Sequence, residues 1–198
     1  MSASPLRLAV VIGSVREGRF GPQVARWFAE QARQHGGFEV DLIDLADSPL
    51  PLVLPDFGGA PDAATAVHRE ELGRRLAAAD AFTLVTAEYN HSYPASLKNA
   101  LDWFREEWRA KAFGLISYGG QAGGVRATEH LRMVICELHA VSVRNALSFH
   151  NAWELFDEDA TACDDGASDG AAKVMLDQLG WWAGLLREGR AKQPYQAL

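Results

Sequence analysis

Three short stretches hold the residue types that could grip and orient a reactive ligand. The first is Gly13-Ser14-Val15-Arg16-Glu17-Gly18-Arg19-Phe20-Gly21. A glycine-bearing loop that leads into a helix presents backbone N–H groups, and the helix start adds partial positive charge. Ser14 offers a hydroxyl proton, and Arg16 and Arg19 offer charge and forked donors. That set suits a phosphate. The spacing of Gly13 and Gly18 resembles a nucleoside-triphosphate loop, but Arg19-Phe20 stands where Lys-Ser/Thr is needed, so the metal-binding hydroxyl is missing. G-x-G-x-x-G is absent too, which argues against a dinucleotide fingerprint. A plain strand–helix turn with surface arginines is the bland alternative, and the loop alone leaves both open.

The second stretch is Glu88-Tyr89-Asn90-His91-Ser92-Tyr93-Pro94, continuing as Ala95-Ser96-Leu97-Lys98-Asn99-Ala100-Leu101-Asp102-Trp103. Tyr89 can lie along an aromatic heterocycle, and Asn90 with nearby amides can bond a ring's polar edge. Against this, Glu88 can be a solvated carboxylate, Lys98 and Asn99 packing or capping groups, and His91 a surface residue, the preferred reading for a lone histidine. The third stretch is Ser117-Tyr118-Gly119-Gly120-Gln121-Ala122-Gly123-Gly124. Its four glycines let backbone approach a flat ligand and permit positive φ, though a flexible turn would look the same.

The elements between these stretches decide whether they meet. Leu6–Ile12 is apolar and rich in β-branched residues, so it reads as a buried strand. Pro22 opens a helix with Val24, Trp27 and Phe28 on its apolar stripe, and Gly36-Gly37 ends it. Phe38–Asp44 alternates as a second strand, followed by a proline-rich loop from Ala46 to Asp62. A helix over Ala63–Ala79, a strand over Ala81–Thr86, a helix from Pro94 through Phe104 and a strand over Ala112–Ser117 come next. Tyr118 to Gly124 reads as loop, Val125–Ala140 as helix with Leu131, Val134, Ile135 and Leu138 on one face, and Val141–Phe149 as a fifth strand in one or two pieces. Asn151–Gly170 is acidic and reads as mobile. The last helix, Ala171–Arg190, is expected to turn Val174, Met175, Leu179, Trp182, Leu185 and Leu186 inward. Five strands alternating with helices imply an α/β, doubly wound parallel sheet in one domain over residues 1–198. Ligands in such sheets sit beyond the carboxyl ends of the strands, and all three special loops follow strands.

Composition bounds the rest. The length of 198 residues suits one α/β core, and a net charge of −7 argues against a non-specific nucleic-acid binder. Cys136, in a helical pattern, reads as a buried thiol and Cys163, in a polar loop, as an exposed one. They suggest neither zinc site nor disulfide, which fits a reducing cytoplasm. Leu6–Ile12 is too short to span a membrane, and Met1–Pro5 lacks the basic flank of a signal peptide. Trp103, Phe104 and Trp108 form an aromatic cluster that reads as core, with a dimer interface or a wall over the ligand as the alternative.

Taken together, the three loops resemble the NADPH-dependent FMN reductases, a family that includes related quinone, azo-dye and chromate reductases. The matching residues are Gly13-Ser14-x-Arg16, Glu88-Tyr89-Asn90 with Leu97-Lys98-Asn99-Ala100-x-Asp102-Trp103, and Gly119-Gly120 to Gly123-Gly124 with Arg126-Ala127. The resemblance runs from Leu6 to Phe149. It implies a three-layer flavodoxin-like fold of five parallel strands in the order 2-1-3-4-5, with FMN as cofactor and NADPH or NADH as hydride donor. By motif match, Ser14, Arg16 and the Arg19-Phe20-Gly21 turn hold the FMN phosphate. Glu88, Tyr89 and Asn90 lie along the isoalloxazine, and Ser117, Tyr118, Gly119 and Gly120 close its other side. No side-chain nucleophile or metal is implied, since the flavin does the chemistry. The implied partners are small acceptors (flavin, quinone, azo compound or metal oxyanion), with no nucleic acid or membrane, and a cytoplasmic homodimer or dimer-based oligomer. Two departures stand out. Ala87 replaces the family's usual proline, which implies a looser flavin-side loop, and the proline-rich segment after the second strand is short, which alters the acceptor pocket. The rival classes are a non-catalytic flavodoxin-like electron carrier, an FMN-binding accessory protein, and a fold using NAD alone with Asp44 on a ribose.

Overall fold

The β-branched apolar runs become the centre of a parallel sheet. The computed structural model describes residues 4–56, 59–157, 162, 164 and 166–196. Within them, β1 (Leu6–Ile12), β2 (Phe38–Asp44), β3 (Ala81–Ala87) and β4 (Ala112–Gly119) lie in the order β2-β1-β3-β4. The fifth position is filled in two pieces. β5 (Val141–Ser142) pairs with Ala112 and Phe113, and β6 (Leu147–His150) pairs with Ile116 through Gly119, both in parallel. The order 2-1-3-4-5 is thus present, with its last strand broken. β3 is buried throughout and β4 at all but its last residue, as strands covered by helices on both faces must be. The edge strand β2 keeps exposed positions.

Helices cover both faces. α1 (Gly21–His35) and α6 (Ala167–Lys192) pack over a core that includes Val10, Phe28, Tyr118, Met175 and Leu179. α2 (Ala63–Ala78), α3 (Ala95–Trp103) and α4 (Val125–Glu137) cover Val11, Leu72, Phe82, Leu101, Phe113 and Leu131. Each such side chain contributes about 1.5–3 kcal/mol on burial. Trp103, Phe104 and Trp108 belong to this second core, with the Trp108 ring 4.8 Å from Phe82. The aromatic cluster therefore packs the interior. A four-residue turn, α5 (Ala152–Leu155), follows β6. No helix among the described residues is long and apolar enough to cross a membrane.

Several boundaries differ from expectation for local reasons. β4 runs two residues further than Ser117, because Ala87 and β6 extend the ladder to Tyr118 and Gly119. α4 stops at Glu137 because His139 adopts a left-handed φ of 57°. α6 starts at Ala167 because the Asp164 carboxylate accepts from both the amide and the hydroxyl of Ser168. The inward face of α6 also needs correction. Met175 and Leu179 pack inward as expected, together with Ala172, Leu176 and Ala183, a narrow stripe that leaves Val174, Trp182 and Leu185 outward beside Trp181. Cys136 is exposed rather than buried, since its neighbours Leu131 and Ile135 take the inner face of α4. Cys163, with residues 158–161 and 165 of the acidic stretch expected to be mobile, lies outside the described residues.

Candidate functional site

Each of the three special loops leaves the carboxyl end of a central strand. The first links β1 to α1. It starts pinned from two sides: the Gly13 amide donates to the Val85 carbonyl at 2.9 Å, and the Ser96 hydroxyl donates to the Gly13 carbonyl at 2.6 Å. Ser14 is fully buried, and its hydroxyl sits 2.7 Å from the Tyr89 hydroxyl, joining the first loop to the second. From Val15 to Gly18 the chain is exposed. Among the described residues the Arg16 guanidinium has no ion-pair partner. Arg19 is held: it donates to the Ser14 carbonyl at 2.8 Å and to the Asp44 carboxylate at 2.5 Å. No side chain caps the start of α1, so its positive end is open to an anion.

Beneath that helix start lies Tyr118. Its ring packs near Phe20, at 6.3 Å between centroids, and Phe20 in turn packs on Phe156. The Tyr118 hydroxyl is buried without a hydrogen-bond partner. Burial pushes this phenol up, and the neighbouring Tyr89 adds to the shift. A Cβ on Gly21 would stand 2.7 Å from that hydroxyl, so the first turn of α1 closes over Tyr118 only because residue 21 has no side chain. The Tyr118 and Phe20 rings thus pack together beneath the start of α1, with the Tyr118 hydroxyl against Gly21 of the first loop.

The second loop is a tight reversal. Tyr89 and Ser92 exchange two backbone hydrogen bonds, at 2.8 and 3.1 Å, around Asn90 and His91, both left-handed at φ 49° and 70°. Two positive-φ residues at the corner make the primed turn that suits a hairpin's twist. Such a conformation is uncommon for any residue but glycine, and local strain of this kind concentrates at functional sites. Ala87 does not loosen this loop, for it pairs with Tyr118 and the Glu88 amide donates to the Tyr118 carbonyl. Glu88 reaches across to α4, where Arg126 Nε donates at 2.5 Å and the Arg126 amide at 3.2 Å. Burial pushes the Glu88 carboxyl up, but Arg126 and the α4 amides outweigh it and hold the group below its usual range. Glu88 thus ties the second loop to the third.

The third loop, Gly119–Gly124 after β4, borders a cavity of about 310 Å³ with Glu88 and Arg126 on its wall. The Ser117 hydroxyl is spent inside the loop, donating to the Gly123 carbonyl at 2.9 Å, so it does not reach the cavity. Gly124 has φ 85°, and a Cβ there would meet the Ser117 Cβ at 2.7 Å. Trp153 stands over Gly120, 59% exposed. A second cavity, about 360 Å³, lies on the far side of the first loop, between Val15, Leu45, Leu50, Leu52 and Ala100. Its wall is braced by α3. Asn99 donates to the carbonyls of Leu50 and Pro51, and the Trp103 indole donates to Pro51. Lys98 pairs with Asp102 along the helix. These α3 motif residues serve as packing and anchoring groups.

The structure thus brings Ser14, Arg16, Glu88, Tyr89, Asn90, Gly119 and Gly120 to one end of the sheet. The Ser117 hydroxyl is spent inside the third loop, and the Phe20 and Tyr118 rings pack beneath the α1 end of the first loop. Sequence reasoning gave no site role to Arg126 or Trp153 and weighed Asp44 only as a ribose ligand. Arg126 was findable as the cation that a half-buried Glu88 requires. The donor set fits a phosphorylated flavin: an uncapped helix start, an unpaired arginine and a buried hydroxyl suit the phosphate, and two turns with exposed backbone suit a flat ring.

The chain is similar to known proteins in sequence and fold. The sequence profile described as NADPH-dependent FMN reductase matches residues 6–154. An NAD(P)H-dependent FMN reductase of Schizosaccharomyces pombe is 39% identical over 127 residues, and this chain spans 62% of its length, with 62% of this chain matched. An NAD(P)H:quinone oxidoreductase of Solanum tuberosum is 29% identical over 187 residues, covering 89% of this chain and 93% of that one. Among solved structures, the flavoenzyme NAD(P)H:(acceptor) oxidoreductase FerB of Paracoccus denitrificans superposes with a TM-score of 0.73 at 24% identity, over 91% of this chain and 98% of that one.

Proposed function

Since the chain belongs to the NADPH-dependent FMN reductase family, we propose that it is an FMN-dependent NAD(P)H oxidoreductase that reduces flavins, quinones or related small acceptors. The observation that carries this reading is the joining of the first and second loops at the carboxyl ends of β1 and β3, where Ser14 and Tyr89 meet at 2.7 Å. One loop brings phosphate-binding groups and the other a ring-binding turn. Joined side by side in this way, the two loops can touch one phosphorylated aromatic ligand together.

The roles follow from where each group sits. Ser14, the Arg16 guanidinium and the amides from Phe20 and Gly21 bind the phosphate, with the helix charge behind them. Tyr89 has its ring partly exposed and borders the flavin. The backbone of Asn90 and of Gly119–Gly120 bonds the flavin's polar edge and faces. Glu88 sets the gap between the two ring-side loops through Arg126. Bound FMN supplies hydride and electron transfer. The protein positions it and leaves one face open. One shared face implies ping-pong turnover, in which NAD(P)H leaves before the acceptor enters. Parallel double-reciprocal lines are expected, and intersecting ones overturn that order. The reading includes a cytoplasmic homodimer, and light scattering that finds a monomer removes the dimer.

The decisive experiment is the visible spectrum of the purified protein, with added FMN, before and after anaerobic NADPH. A flavin band that bleaches with NADPH and returns on adding a quinone is expected. Protein that holds no FMN refutes the proposal. Protein that holds FMN but is not reduced by NADPH is an electron carrier or accessory protein instead.

A further inference from the structure

We infer that Asp44 is a positioning residue for the FMN phosphate and acts through Arg19, which staples the phosphate loop to the end of β2. The inference rests on the FMN reading above and refines it: Arg19 shapes the loop that binds the phosphate instead of supplying charge to it.

The geometry is specific. The Arg19 guanidinium bridges two fixed acceptors, the Ser14 carbonyl at 2.8 Å through Nη1 and the Asp44 carboxylate at 2.5 Å through Nη2. Asp44 is itself fixed, because its other oxygen accepts from the Ala46 amide at 3.0 Å and caps the single 3-10 turn Leu45–Asp47. The paired side chains are only 17% and 18% exposed. An ion pair so far removed from water is costly to separate. Arg19 is therefore not free to swing onto an incoming anion without leaving the largely shielded Asp44 carboxylate with no cation beside it.

What the staple holds is the exposed part of the loop. Val15, Arg16, Glu17 and Gly18 are all exposed, so packing does not order them. Their shape comes from the turn that the Arg19 amide closes onto the Arg16 carbonyl at 3.2 Å, and from the Arg19 side chain gripping Ser14 at the other end. These same bonds fix the backbone that carries the Ser14 hydroxyl and the Arg16 guanidinium. Without Asp44, Arg19 loses its anchor and the loop must be ordered by the ligand, which weakens binding. The rival account is purely electrostatic. Asp44 would then only cancel the charge of Arg19, and removing it would tighten binding of a dianion.

The two accounts predict opposite signs. Dissociation constants for FMN and for riboflavin, which lacks the phosphate, are read from flavin fluorescence for wild type, Asp44→Asn, Arg19→Lys and the double variant. Thermal melts check that each is folded. On the staple account, FMN affinity falls about tenfold or more in each single variant, riboflavin affinity stays within about twofold, and the double variant is no worse than the weaker single. Arg19→Lys keeps the charge but lacks the rigid planar fork whose two terminal nitrogens reach the Ser14 carbonyl and the Asp44 carboxylate separately, so it tests the staple even where Asp44→Asn fails to fold. Tighter FMN binding by Asp44→Asn, additive losses, or an equal loss of riboflavin each overturn the inference. Wild-type protein that binds neither flavin overturns the FMN reading and this inference with it; FMN binding with additive losses overturns the inference alone.

Discussion

Replacing Gly21 by alanine tests the packing under the phosphate loop. The new Cβ would lie 2.7 Å from the Tyr118 hydroxyl, 3.3 Å from an Ile12 methyl and 3.4 Å from the Tyr118 ring. Only the first distance is a clash. Tyr118 cannot swing clear, since it is 6% exposed and wedged against Phe20. Overpacking of this kind costs about 1–3 kcal/mol, and for a chain of this size each kcal/mol lowers Tm by roughly 2–4 °C. The hydroxyl that causes the clash has no partner of its own, and an unpaired buried hydroxyl carries a cost of about 1–3 kcal/mol. Tyr118→Phe is therefore expected to be neutral or stabilising. In the Tyr118→Phe background, Gly21→Ala should lose most of its penalty, because the remaining contacts are tight but tolerable. Urea melts of wild type, the two single variants and the double variant give the coupling, expected at about 1–2 kcal/mol. Equal costs of Gly21→Ala in both backgrounds, or a clear destabilisation by Tyr118→Phe, would refute the argument, for the hydroxyl would then either lie elsewhere or have a partner.

Lys111 is 6% exposed, donates to the carbonyls of Leu76 and Ala77 at the end of α2, and lies over the Phe82 ring. Burial, with Arg190 nearby, pulls its pKa down to about 8. Between pH 8 and its ordinary value the unfolded chain keeps a proton that the folded chain has lost, so stability rises with pH there. Measured as wild type minus Lys111→Met, the gain from pH 7.5 to 10.5 should approach about 3 kcal/mol, and a flat difference would count against the buried ammonium. Glu88→Gln should cost about 1–3 kcal/mol at pH 7. Because the folded carboxyl is held low, that wild-type advantage is complete above the ordinary carboxylate range and is lost as pH falls through the lowered value; an advantage unchanged down to pH 2 contradicts the ion pair. Asn99→Ala removes both bonds to the proline-rich segment. Limited proteolysis near Leu52–Leu54 should accelerate several-fold while the melting curve shifts little, and unchanged cleavage would show that Trp103 holds the segment alone.

What could be read from residues alone was whatever depends on the backbone. The runs at Leu6–Ile12 and Ala81–Ala87 have no helical period and too many β-branched residues to be anything but central strands. Once the strands are ordered, the glycine loops and the Glu88-Tyr89-Asn90 turn must gather at one end of the sheet. Their amides act there whatever their side chains do. What could not be read was which way a side chain points in an element buried on both faces. β4 is apolar at nearly every position, so its pattern carries no sign of which residues face α1 and which face α4. The register that pairs Tyr118 with Ala87 decides it, and sends the Tyr118 ring beneath α1. α6 fails to declare its inner face for a similar reason: Val174, Trp181, Trp182 and Leu185 are as apolar as Ala172, Met175, Leu176, Leu179 and Ala183, which in fact pack. The Arg19–Asp44 pair spans 25 positions of sequence and two elements, and no local pattern connects them. A residue that borders a ligand through its amide keeps that role under many folds, whereas one that works through its side chain has a role only once its partner's position is known. The loop motif could therefore point to a phosphate while leaving open whether Arg19 touches it or holds the loop that does.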